Sequence, residues 1–174
     1  MERDINGLKA VFPFIETESA GNSVLGKNLY YIKIGTGTNK VFYNGAHHAL
    51  EWITAPLLMK FTENIAAAYS EGRSIRGYSI RNILQRSTLY IMPMVNPDGV
   101  DLVLNGLQED NPYYNQLLQW NKTGRPFSQV WQANIRETGR NGIRNNRSRT
   151  YTIFRTGAIF GTGNKSSEGF NIKN

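Results

Sequence analysis

The stretch Lys40-Val41-Phe42-Tyr43-Asn44-Gly45-Ala46-His47-His48-Ala49-Leu50-Glu51-Trp52-Ile53-Thr54-Ala55-Pro56 runs from a strand into a helix, and its reading decides the fold class. Lys40 to Tyr43 is short, aromatic and β-branched, as strands are. Thr54-Ala55-Pro56 reads as a helix start, since the first turn tolerates proline, and Leu58, Phe61, Ile65 and Ala68 continue at helical spacing up to Gly72. Downstream, a second helix is predicted over residues 75–84. Residues 87–94, Ser-Thr-Leu-Tyr-Ile-Met-Pro-Met, form a nearly continuous apolar run of the kind buried on both faces of a sheet. Upstream, Asn28 to Ile34 reads as a strand joined to 40–43 by a turn at Gly35-Thr36-Gly37-Thr38-Asn39. Before it, Ile5, Leu8, Val11 and Phe12 trace a short helix that Pro13 ends. Strands alternating with helices of this length predict an α/β sandwich whose sheet is at least partly parallel. Residues 105–131, rich in Asn, Gln, Tyr, Trp and Pro, read as a long surface loop suited to a pocket wall.

Composition narrows the function classes. The chain has 174 residues, 40% of them apolar and 19% charged, which excludes a coiled coil, a collagen-like repeat and a wholly disordered chain. It has no cysteine, so disulfides, thiol nucleophiles and Cys-ligated zinc are excluded. No apolar run approaches the roughly 18 residues a membrane helix needs, so no membrane partner is expected. Met1-Glu2-Arg3-Asp4 does not open a signal peptide, and a cytoplasmic location is expected on that ground. The net charge of +7 is unevenly spread: residues 1–136 hold 13 Lys/Arg against 11 Asp/Glu, and residues 137–174 hold 7 against 2.

The two histidines, His47 and His48, precede Glu51, so His48 and Glu51 stand three residues apart. A histidine and a carboxylate at this spacing can grip one divalent metal, and the nitrogen and oxygen mix favours zinc. His47 is an alternative partner that spacing alone does not exclude. Taken alone, the motif is more often a surface histidine pair beside a solvated glutamate. Its place at a strand-to-helix junction, and the sequence Met94-Val95-Asn96-Pro97-Asp98-Gly99 after the apolar strand, turn the argument.

Together these blocks resemble the zinc metallocarboxypeptidase family, in which an H-x-x-E-W block supplies two zinc ligands and an N-P-D-G turn follows a neighbouring strand. Residues 9–25, the doubled histidine, Trp120-Asn121 and Trp131-Gln132-Ala133-Asn134 look most like its bacterial branch, which cuts γ-D-glutamyl-diamino acid bonds in peptidoglycan stem peptides. The resemblance covers about residues 3–136. It implies a three-layer α/β/α sandwich with a mixed, partly parallel sheet, a zinc cofactor, and a peptide substrate from the cell wall. It implies His48 and Glu51 as metal ligands, Asn96 to Gly99 as a scaffolding turn, and Arg136 as the arginine that polarises the scissile carbonyl; an ordinary surface arginine is the plain alternative. In the family mechanism zinc activates a water, a glutamate takes its proton and arginine steadies the oxyanion.

Beyond Arg136 the pattern departs. Where the family has a G-V-D-L-N-R-N block, this chain reads Glu137-Thr138-Gly139-Arg140-Asn141-Gly142, and no histidine follows His48 to serve as third ligand. The family's catalytic glutamate falls beyond the end of the chain, and Glu168 sits in a Ser-Ser-Glu-Gly stretch without motif context. Residues 137–174 also lack Leu, Val, Asp, Pro and Met altogether. The expected organisation is therefore 1–136 as the N-terminal part of a carboxypeptidase-like domain and 137–174 as an aberrant basic tail, translated out of frame. Codons for Phe154 to Gly163 shifted by one base can spell S-G-P-E-P-S-S-E-P, an element resembling the family's downstream sequence. A chain so divided is expected to be weakly active or inactive. Two other classes compete: a non-catalytic module binding peptidoglycan peptides through 105–131, and a nucleic-acid binder using Arg140, Arg144, Arg147, Arg149 and Arg155. Incidental charge is the better account of that tail, since basic tracts are weak evidence. A sheet split in this way leaves residues 87–94 or a neighbouring strand as an edge open to self-association.

Overall fold

A computed structural model describes residues 1–135. Helix α1 (Glu2–Val11) leads into strands β1 (Glu16–Asn22), β2 (Asn28–Ile34) and β3 (Asn39–Asn44), then helix α2 (Thr54–Glu71). A two-residue hairpin, β4 (Ser74–Ile75) and β5 (Tyr78–Ser79), precedes α3 (Ile80–Arg86) and β6 (Ser87–Met92). Helices α4 (Pro97–Asn105), α5 (Tyr114–Trp120) and α6 (Phe127–Val130) complete the described chain. The α/β class and mixed sheet expected from the sequence are present: the strand order is β1-β2-β6-β3, with β6 antiparallel to β2 and parallel to β3.

The expected turn between β2 and β3 is not a hairpin, because β6 inserts between them. The apolar β6, buried along almost its whole length, gains most from a central position. The Gly-Thr-Gly-Thr linker instead bridges the start of β6. Thr36 N–H donates to Leu84 O at 2.9 Å and Thr88 Oγ donates to Gly37 O at 2.7 Å. A Cβ on Gly37 would lie 1.8 Å from the Arg86 carbonyl carbon, so only glycine lets the linker pass. Of the two edges expected, residues 87–94 are central as β6, whereas the neighbouring strand β3 is an edge, as is β1, among the described residues.

Cross-strand register places Ile32 beside Ile91, and Ile34 and Val41 beside Leu89, on one face of the sheet. Over that face pack Ile5 of α1, Ala66 and Ala68 of α2, and Ile80 and Leu84 of α3. Val11, included in the apolar spacing of α1, is exposed. The α2 helix ends at Gly72 in a left-handed conformation (φ 68°), the usual helix stop.

Three other expectations change. Residues 75–84 are only partly helical, because Arg76 and Gly77 both take positive φ and close the β4–β5 hairpin before α3. Strand β1 went unpredicted, since mostly exposed Glu-Thr-Glu-Ser-Ala-Gly-Asn carries no apolar alternation. Residues 105–131 are not a continuous surface loop. They contain α5 and α6, and Leu117, Phe127 and Trp131 are buried in a second core with Leu102 and Val103. Clustered aromatics hid the periodicity: Trp131 stacks on Trp120 at 6.5 Å and meets Phe127 edge-on at 5.5 Å. No helix among the described residues is long and apolar enough to cross a membrane.

Candidate metal centre

Parallel strands β3 and β6 send their chains out of the same end of the sheet, and the exits stay bonded to each other. Gly45 N–H donates to Met92 O at 3.1 Å, Val95 N–H to Gly45 O at 3.0 Å, and Asn96 N–H to Ala46 O at 3.0 Å. The loop carrying both histidines is thus laid beside the N-P-D-G segment. Ala46 holds a left-handed conformation (φ 50°), which is unfavourable for alanine. Its two backbone groups are fixed on either side, by Asn96 N–H and by the Thr54 hydroxyl, which accepts from Ala46 N–H at 2.7 Å.

The structure separates the histidines. His48 Nδ1 lies 2.7 Å from Glu51 Oε1, with Glu51 ending a 3-10 turn (Ala49–Glu51) that brings the i, i+3 side chains to one face. His47 turns the other way, its Nε2 against Asn44 Oδ1. Burial, helped by the neighbouring His48, holds the His47 imidazole below its ordinary pKa despite the opposing pull of Glu51. Of the two histidines the spacing allows, His48 is the one whose ring meets Glu51, while the ring of His47 meets Asn44. His48 and Glu51 remain reachable from solvent, with side chains 35% and 54% exposed.

One imidazole nitrogen facing one carboxylate oxygen is a donor pair suited to zinc. As a complete site it falls short: among the described residues no group of three or more His, Cys, Asp or Glu is placed to hold a metal ion. The pair fits part of a zinc site. A groove of about 760 Å³ opens between α1 and α2, lined by Leu8, Val11, Met59, Met94 and Leu104, and includes neither His48 nor Glu51. Arg136, expected at the carbonyl of a substrate, lies outside the described residues, as do Glu168 and the whole 137–174 tail.

The Asn96 to Gly99 segment proves to be a helix start. Asn96 caps α4 by accepting Gly99 N–H on Oδ1 at 3.0 Å, with Pro97 in the first turn. Asp98 is buried and ties α4 to the β1–β2 connection, accepting Ser23 Oγ–H at 2.8 Å and Leu25 N–H at 3.0 Å. The sequence reading missed Thr54 and the backbone of 132–133 as supports of the histidine loop. Ala49 N–H donates to Gln132 O at 3.0 Å, and the Thr54 hydroxyl donates to Glu51 O at 2.8 Å. An asparagine immediately before proline was the available signal for the cap; nothing local marks the carbonyl of Gln132.

With this geometry in view, the sequence model of the zinc carboxypeptidase family matches residues 1–168. The γ-D-glutamyl-L-diamino acid endopeptidase 1 of Lysinibacillus sphaericus is 40% identical over 135 residues, covering 78% of this chain and 34% of that protein. The Bacillus subtilis protein YqgT is 35% identical over 137 residues, covering 78% of this chain and 36% of its own length. The chain thus spans about a third of the length of these curated relatives. Bovine thrombin-activatable fibrinolysis inhibitor, solved in complex with a tick carboxypeptidase inhibitor, superposes with a TM-score of 0.49 at 25% identity, over 59% of this chain and 31% of that one.

Proposed function

The chain belongs to the zinc carboxypeptidase family, and on that premise we propose that it is the part of a metallopeptidase that supplies His48 and Glu51 to a zinc ion. The observation that carries the reading is the convergence of His48 Nδ1 and Glu51 Oε1, 2.7 Å apart and accessible, at the end of two parallel strands. Zinc held there supplies Lewis acidity and acidifies water at neutral pH. The chain's own share is to orient the imidazole and carboxylate: the 3-10 turn sets their spacing, and the Thr54 hydroxyl fixes the Glu51 backbone.

The substrate class we propose is a cell-wall peptide with a γ-D-glutamyl-diamino acid bond. Its support is the 40% identity to an endopeptidase named for that bond. Arg136 is proposed to face the scissile carbonyl, where a guanidinium stabilises developing negative charge. A catalytic zinc is normally held by three protein ligands. With two donors in hand, we expect this polypeptide by itself to bind zinc weakly and to turn over little peptide.

The test is zinc content and affinity of the purified chain beside His48→Ala and Glu51→Ala, with hydrolysis of a γ-D-glutamyl-diaminopimelate peptide followed in the same samples. Zinc uptake that both substitutions abolish sustains the ligand assignment. Uptake indifferent to either one overturns it. Peptide binding that survives a chelator, with no turnover and no His48-dependent zinc, would instead make the chain a non-catalytic binding module.

A further inference from the structure

Asn96 is 1% exposed, and its side chain uses both amide donors and its oxygen on three different segments. Its Nδ2 donates to His47 O at 3.2 Å and to Ala133 O at 3.1 Å. Its Oδ1 accepts from Gly99 N–H, and its backbone N–H donates to Ala46 O. A carboxamide is the side chain that offers two donors and an acceptor in one plane at this reach. The packing leaves no slack around it: a Cβ on Gly99 would fall 2.5 Å from both Ala133 O and Asn96 Nδ2.

Capping α4 needs only the Oδ1 acceptor. The two donated bonds serve something else, because they join the carbonyl next to His48 to the 131–135 segment, whose Gln132 carbonyl in turn holds Ala49 N–H. The residue between the two held positions, 47 and 49, is His48 itself. We infer that Asn96 is a positioning residue for the His48–Glu51 pair, its one buried amide setting the histidine loop against the 131–135 segment. This rests on the proposed metal role of that pair for its functional meaning, and on the hydrogen bonds alone for its structural content.

Asn96→Asp separates the two duties. It keeps shape and the acceptor for Gly99 N–H, but replaces both donors by a carboxylate oxygen facing two carbonyls. Asn96→Ser, a good helix cap too short to reach both carbonyls, is the second variant should the buried charge prevent folding. Asp98→Asn is the control for lost stability alone, since it damages a buried contact of the same helix that does not touch the histidine loop.

The readouts are zinc affinity by chelator competition and hydrogen exchange of the Ala49 amide. The Asn96 variant that folds should lose about tenfold or more in zinc affinity, the range for residues that orient ligands, and its Ala49 amide should exchange at least about tenfold faster. Asp98→Asn should change either by less than about twofold on the same scale. Retention of either property in the Asn96 variant, or equal losses in Asp98→Asn, overturns the inference. If the unaltered chain takes up no His48-dependent zinc, the proposed function fails, and the Ala49 amide decides alone: faster exchange in the Asn96 variant sustains the positioning role and unchanged exchange refutes it.

Discussion

Thr54 braces the 46–51 loop from inside, one oxygen accepting from Ala46 N–H and donating its proton to Glu51 O. Thr54→Val keeps the shape and leaves the N–H of buried Ala46 without a partner, so stability should fall by about 1–3 kcal/mol in a urea titration. No change there would mean that the left-handed Ala46 is held by Asn96 alone. On the opposite side of the sheet, burial pushes the Tyr31 phenol well above its ordinary pKa, and the hydrogen bond it donates to Glu18 at 2.5 Å adds to the shift. Its folded value is raised, so this stabilisation is complete below about pH 10 and is lost as pH climbs towards the folded value, because the unfolded chain releases the proton first. Tyr31→Phe should therefore show a flatter decline of stability above pH 10 than the unaltered chain.

At the scale of elements, the route of the β2–β3 linker is what makes the sheet mixed. Gly37→Ala forces a methyl onto the backbone of Arg86 and Ser87, which cannot yield without moving the start of β6. We expect a loss of about 3 kcal/mol or more, at or beyond the upper end for overpacked sites, read as a lowered denaturation midpoint. The α2 helix, by contrast, draws its stability from an apolar face that its own sequence displays, and Leu58, Phe61 and Ile65 pack on the sheet as their spacing predicts. Its neighbour α3 is short and depends on the hairpin before it, with Ser79 as the cap that accepts Asn82 N–H.

At the scale of the molecule, the two largest apolar clusters among the described residues do different work. One, between the sheet and α1 to α3, makes the scaffold; the other, around fully buried Trp131, backs the histidine loop through Ala49. Trp131→Ala should cost about 3–5 kcal/mol and also speed exchange of the Ala49 amide, since the carbonyl of Gln132 moves with the emptied core. Trp131→Phe should cost less, because it empties less of the core and because, among the described residues, the indole Nε1 has no hydrogen-bond partner to lose. The division proposed at residue 136 belongs to this scale too. The family match runs on to residue 168, across the segment without Leu or Val. Sequencing the gene tests it: a family-like continuation in the shifted frame supports an out-of-frame tail, and its absence removes the idea.

The sequence by itself determined those parts whose physics is local. Periodic apolar residues and a closing glycine spelled out α2, a doubly buried run spelled out β6, and the H-x-x-E spacing at a strand-to-helix junction named the candidate metal pair. Tertiary structure alone decided what depends on residues far apart in the chain. It put β6 between β2 and β3, turned His48 rather than His47 towards Glu51, and made Asn96 the tie between residues 47 and 133. The physical reason is that a backbone carbonyl carries no sequence signal. Which ones a buried amide will reach is settled only when strand pairing and core packing have brought them within 3 Å or so of it.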